Sequence, residues 1–170
     1  MLRLIGALCV IGGAAIEGFR MVSQRRRQLS EWSEMLEAVY VMERELRCRE
    51  PELEQLLEYL ARQKNGPVEA CFLACRQGMT ALGQHGFAEI WRESLMGAGL
   101  SIPGRELEPF LDLGKVLGRY DRETQCAALL RVAEESGERL RRAREALRGQ
   151  DKLYMTLSIA GGILLVVLAC

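Results

Sequence analysis

Two apolar stretches at opposite ends of the chain constrain its fold more than anything between them. Residues 4–16, LIGALCVIGGAAI, carry no charge, and neither do residues 153–170, LYMTLSIAGGILLVVLAC. A hydrocarbon core about 30 Å thick takes roughly 20 helical residues at 1.5 Å each. The second stretch meets that length with no charge inside it. The first meets it only from Leu2 to Val22, with Arg3 at one rim, Glu17 near the other and Arg20 at the inner edge. Arginines in such places can reach the head groups. A secretory signal peptide is the rival for the first stretch, but Glu17 and a basic cluster follow it instead of a clear cleavage site. A buried core helix is the rival for the second, and its terminal position leaves little protein to cover it.

The flanking charges orient such a chain. Arg20, Arg25, Arg26 and Arg27 follow the first stretch. Arg139, Arg141, Arg142, Arg144, Arg148 and Lys152 precede the second, and only Arg3 lies outside. The excess of basic residues on the inner side places residues 23–150 in the cytoplasm and both ends across the membrane. The expected organisation is an N-terminal transmembrane helix over 1–22, a helical domain over 23–150 and a C-terminal transmembrane helix over 151–170. Basic flanks of this kind also sit against membrane lipid, at about 1 kcal/mol per residue near an anionic surface.

Over the whole chain 23 basic and 23 acidic residues cancel, so no field draws it to nucleic acid. Arg25, Arg26 and Arg27 lack the interleaved aromatics that base stacking wants. The six cysteines include no Cys-x-x-Cys pair, and a single histidine, His85, accompanies them. In a reducing cytoplasm they read as free thiols and small core residues, not as disulfides or zinc ligands. No cofactor or metal site is expected.

Residues 23–150 show helical periodicity and no strand-like alternation. Trp32, Leu36, Val39, Met42 and Leu46 form a first stripe, ended at Glu50-Pro51. Leu53, Leu56, Leu57 and Leu60 form a short second. After the turn at 65–67 come Val68, Cys71, Phe72, Cys75, Met79 and Leu82. Phe87, Ile90, Trp91 and Leu95 follow a break at 84–86. The glycine-rich stretch 97–104 is a loop, and Leu107, Phe110, Leu111 and Leu117 come after it. The last stripe runs from Cys126 to Leu147. The spacing therefore predicts an all-α fold: a compact bundle of about six helices with short, antiparallel connections, flanked by the two transmembrane helices.

One polar run, LGRYDRETQ at 117–125, stands out between the fifth and sixth stripes. Asp121 suits an N-cap and Glu123 the first turn of the following helix. Gly114 and Gly118, four apart, are expected on one helix face where another backbone comes close. The run reads either as a tight corner between helices or as a docking surface at that corner, with Arg122 its best exposed contact. Catalysis fits poorly: there is no phosphate-cradling loop with lysine, no Ser-His-Asp set and no metal cluster. His85, beside Gly86, reads as a helix-end residue. Within the first apolar stretch, Glu17 either sits at the interface near Arg20 or meets another subunit's membrane helix, for which Ala14 and Gly18 leave room.

The opening MLRLIGA, the basic patch, the helical middle, LGKVLGRYDRETQ and the apolar end together make the chain resemble the stage III sporulation protein AB family of endospore-forming bacteria. Its most specific residues are Leu113, Gly114, Leu117, Gly118, Asp121, Arg122, Glu123 and Gln125. That family is similar to the inner-membrane platform proteins of type II secretion and type IV pilus machines. The resemblance implies a non-enzymatic scaffold subunit in a channel-like complex between mother cell and forespore, in the mother-cell membrane around the forespore. It implies other stage III subunits and a cytoplasmic secretion-type ATPase as partners. Secretion platforms usually carry two such bundles where this chain has one, which points to a homo-oligomer. A membrane-anchored adaptor or dimerisation module outside any secretion machine, its basic patch on lipid, is the alternative.

Overall fold

The computed structural model describes the helical course from Leu2 to Ala169, and side chains from Arg20 to Arg148. Six helices follow one another: α1 (Leu2–Cys48), α2 (Leu53–Gln63), α3 (Gly66–Gly78), α4 (Phe87–Gly97), α5 (Gly104–Leu113) and α6 (Arg122–Ala169), with a single 3-10 turn at Met79–Ala81. No β-strand occurs among the described residues. The fold is all-α, as the periodicity predicts.

The first and last helices form the frame. Arg122 on α6 meets Glu50 just past α1. The Cys126 thiol approaches the Glu43 carbonyl at 3.9 Å, and a methyl on Gly137 would touch Leu36. Farther on, Arg25 and Leu29 share a cleft with Ala143 and Leu147. As α1 numbers fall, α6 numbers rise, so the two helices are antiparallel. Their most extensive contacts are with each other. The described residues at the low-numbered part of α1 and the high-numbered part of α6 therefore lie at the same end of the bundle.

The remaining helices close the core on this frame. Trp32, Leu36, Val39, Met42 and Leu46 are all buried on α1. Leu56, Leu57 and Leu60 of α2 meet Val68, Cys71, Phe72 and Cys75 of α3 in the same buried cluster. Trp91 of α4 lies between Phe72 and Phe87, with ring centroids 6.2 and 5.9 Å away. Its indole N–H donates to the Phe110 carbonyl at 2.8 Å, which ties α4 to α5. Burial of the polar N–H is thereby compensated.

α1 and α6 each run on as helix through the flanking apolar stretches. The transmembrane assignments to 1–22 and 151–170 lie outside the described side chains, Arg20–Val22 apart; among the described residues no helix is long and apolar enough to cross a membrane. Gly114 and Gly118 do not share a helix face. The α-helix stops at Leu113, and the bonds from Lys115 N–H to Asp112 and from Val116 N–H to Leu113 tighten the chain into turns. Gly118 then takes φ +72°, a conformation that glycine adopts without strain. Leu82 is not core: the 3-10 turn rotates it off the α3 stripe and leaves it 46% exposed.

The four described cysteines are free thiols. Burial pushes Cys71 and Cys75 up to about 12, and burial also raises Cys126, against the pull of Arg47. Ionising either α3 thiol opposes folding, so that part of the stability is complete below the ordinary thiol value and is lost as pH climbs toward 12. At pH 8, iodoacetamide is expected to modify Cys48, which is exposed, at least tenfold faster than Cys71, Cys75 or Cys126, as peptide mapping will report. Equal rates would contradict this packing.

Candidate functional site

The polar run at 117–125 folds into a corner whose side chains divide into two groups. The inward group holds the turn together. Gln125, one turn into α6, accepts from the Gly118 N–H at 3.3 Å and donates to the Tyr120 carbonyl at 2.6 Å. Asp121 precedes α6, and its carboxylate accepts from the Thr124 N–H at 3.4 Å and from the Thr124 hydroxyl at 2.9 and 2.6 Å. Asp121 thereby supplies a partner to a backbone N–H that the helix start leaves free, while Gln125 ties down the turn before it. Gly118 also lies against Leu53, which seats the turn on α2. Asp121→Ala is expected to lower stability by about 1 kcal/mol, read from urea unfolding. An unchanged midpoint would remove Asp121 from this role.

The outward group faces solvent. Arg122 reaches Glu50 at 3.5 Å, and both are more than half exposed, so the pair contributes little to stability. Glu50 is held there by a left-handed residue conformation, φ +49°, that ends α1, and Pro51 follows it. Arg119 stacks on the ring of Tyr120, which is also exposed.

Beside the corner, α1 and α6 leave a groove of about 440 Å³ lined by Arg47, Arg122, Glu123, Cys126, Ala127 and Leu130. Charges of both signs rim a floor of small and apolar atoms. Arg47 is paired with Glu43 on its own helix. Such a mixture suits a protein surface, with an apolar centre and a polar rim. Of the residues singled out in the sequence, Arg122 and Glu123 line this groove, whereas Asp121, Gln125 and Gly118 build the turn behind it. Gly114 is elsewhere: it is buried against Trp91.

The basic residues Arg20, Arg25, Arg26 and Arg27 are exposed on α1. Arg27 donates to Glu31 at 2.7 Å. Ala14, Glu17 and Gly18 lie outside the described side chains. His85 contacts Glu89 at 3.0 Å, both about half exposed, and no group of three or more His, Cys, Asp or Glu able to hold a metal ion occurs among the described residues.

Sequence reasoning missed Glu31. It is 5% exposed, yet it is a carboxylate on the buried side of α1. It accepts from the Ser101 N–H at 2.5 Å and the Ser101 hydroxyl at 3.3 Å, besides Arg27. It therefore pins the loop before α5 to α1. The signal was its spacing: Glu31, Met35, Ala38 and Met42 recur on one helix face, and all four are buried.

The long antiparallel pair α1–α6 with the short helices packed on it defines a compact all-helical domain. The profile of the stage III sporulation protein AB family matches residues 3–170, and the chain belongs to that family. It is 25% identical over 173 residues to stage III sporulation protein AB of Bacillus subtilis (strain 168), covering 99% of each chain. A solved structure of a stage III sporulation protein AB superposes with a TM-score of 0.65 at 21% identity, covering 72% of this chain and 97% of that one. That likeness concerns the fold.

Proposed function

We propose that the chain is a membrane scaffold subunit of the stage III sporulation complex. Residues 1–22 and 151–170 cross the membrane, and residues 23–150 lie in the mother-cell cytoplasm. The observation that carries this reading is directional. The described parts of α1 and α6 are antiparallel and approach their apolar continuations at one end of the bundle. Two spans entering from one face of a domain require that arrangement. The charge distribution agrees with it: residues 20–31 and 138–152 hold ten basic and four acidic residues, while residues 32–137 hold twelve and eighteen.

In this role the groove beside the corner docks the cytoplasmic secretion-type ATPase, with Arg122 and Glu123 on its rim. Because α6 runs from that groove toward the second span, a force on the groove is passed along one helix. Copies of the chain associate to make the platform, with Ala14, Glu17 and Gly18 as the intramembrane contact. Protease added outside intact mother-cell protoplasts is expected to leave residues 23–150 whole and to digest them once the cells are opened. Digestion from outside would reverse the topology. Arg122→Glu in the full chain is expected to reduce capture of the ATPase from sporulating-cell membranes about tenfold, a loss of roughly 1.4 kcal/mol, without changing membrane insertion. Undiminished capture would clear the groove of that role.

A further inference from the structure

A second recess opens at the other end of the α1–α6 seam, where the start of α5 meets both helices. It holds about 230 Å³. Its apolar wall includes Leu29 and Leu147, and its polar lining is Arg25, Gln28, Trp32 and Glu106. Three of these four groups differ in the partners they already have. Glu106, the only acid lining the recess, is turned to Arg139 at 3.4 Å, a guanidinium that also holds Glu135 at 2.5 Å. Arg25 is exposed, and no described residue pairs with it. Trp32 is 4% exposed, yet its indole N–H donates to nothing among the described residues. A buried donor without an acceptor is costly, and the other tryptophan shows the usual remedy, since Trp91 donates to Phe110.

A ligand that satisfies this recess supplies an acceptor for the indole, a negative charge for Arg25 and an apolar portion for Leu29 and Leu147. We propose that the recess binds the phosphodiester head group of an anionic phospholipid, its glycerol and upper acyl carbons lying on the apolar wall. The proposal rests on the reading that residues 1–22 and 151–170 cross the membrane. On that reading Arg25 stands three helical residues beyond Val22, about 4.5 Å, and Leu147 four residues before Asp151, about 6 Å. The mouth of the recess then abuts the head-group layer, which adds about 5–8 Å on each side of the hydrocarbon. The same end of the molecule carries the excess of ten basic over four acidic residues, which concentrates anionic lipid there.

The test uses the full chain with indole-labelled tryptophan, placed in nanodiscs of phosphatidylcholine alone or mixed with phosphatidylglycerol. The two indole N–H signals are assigned with Trp32→Phe. Phosphatidylglycerol is expected to move the Trp32 signal and leave that of Trp91 in place. Arg25→Gln is expected to weaken the response about fivefold, equivalent to roughly 1 kcal/mol for one charge near the surface. Arg144→Gln, equally basic but off the wall of the recess, is expected to weaken it less than about twofold. An unmoved Trp32 signal would overturn the proposal. So would equal losses in the two variants, which would mean a diffuse surface attraction, or an equal shift with soluble glycerol phosphate, which would mean a site for free phosphate esters. A Trp32 signal that moves only when other stage III subunits are added would assign the recess to protein instead. Failure of the chain to enter nanodiscs at all would sink the membrane reading itself, a result distinct from insertion without lipid selectivity.

Discussion

Gly114→Leu is expected to prevent the helical domain from folding. A Cβ at this position would come within 2.6, 2.8 and 2.9 Å of three Trp91 side-chain atoms. Relief would require either the tryptophan or the end of α5 to move. Trp91 is 1% exposed, flanked by Phe72 and Phe87, and bonded through its indole to Phe110. Its bonding partner lies four residues before Gly114, in the helix that Gly114 caps, so shifting either body breaks the other's contact. Overpacking a rigid core costs about 1–3 kcal/mol even for a methylene, and a leucine adds four carbons. Against a total stability of about 5–15 kcal/mol, the variant should lose cooperative thermal unfolding. Gly114→Ala should keep it with a melting temperature lower by about 10 °C. A wild-type melting curve for Gly114→Leu would mean that α4 and α5 do not meet as described.

The contrast between Gly114 and Gly118 shows what could be read beforehand. Their spacing of four, with Leu113 and Leu117 beside them, fits a continuing helix. The helix instead ends at Leu113, and Leu117 is still buried because the turn carries it inward. Apolar spacing reports which side chains are buried, not whether the backbone between them is helical. The same limit explains Leu82, which follows the α3 stripe in number but leaves the core when the helix tightens. The stripes themselves were legible because a helix three turns long repeats its pattern several times. The division of labour in the corner was not. Asp121, Arg122, Glu123 and Gln125 are equally polar, and only geometry separates Asp121 and Gln125, which serve the turn, from Arg122 and Glu123, which face the groove. The groove and the recess both join residues about a hundred positions apart in the chain, Arg47 to Leu130 and Arg25 to Leu147. Nothing local in the sequence records such a junction.

Glu31→Ala is expected to be the most damaging change at a charged residue of the bundle. Exposed ion pairs elsewhere, such as Arg141 with Glu138 or Arg62 with Glu58, join neighbours on one helix in solvent and contribute little. Glu31 joins α1 to residue 101, seventy positions away, through a backbone N–H at 2.5 Å. The carboxylate side chain is 6% exposed while Arg27 is 62% exposed, so removing Glu31 strands the amide but returns the guanidinium to water. The cost is then that of a charge-assisted bond plus an ill-filled site, about 2–3 kcal/mol, or roughly 6–15 °C in melting temperature for a domain of this size. Ser101→Ala removes only the 3.3 Å hydroxyl contact and should cost no more than about 0.5 kcal/mol. If the two variants cost the same, the backbone bond is not the anchor. The loss should also be local before it is global. Ile102, which is buried, and Pro103, which lines the recess, follow the anchored residue directly. Hydrogen exchange at Ile102 should therefore accelerate in Glu31→Ala at temperatures where α2 and α3 remain protected, because one carboxylate on α1 holds that wall against the long helical pair.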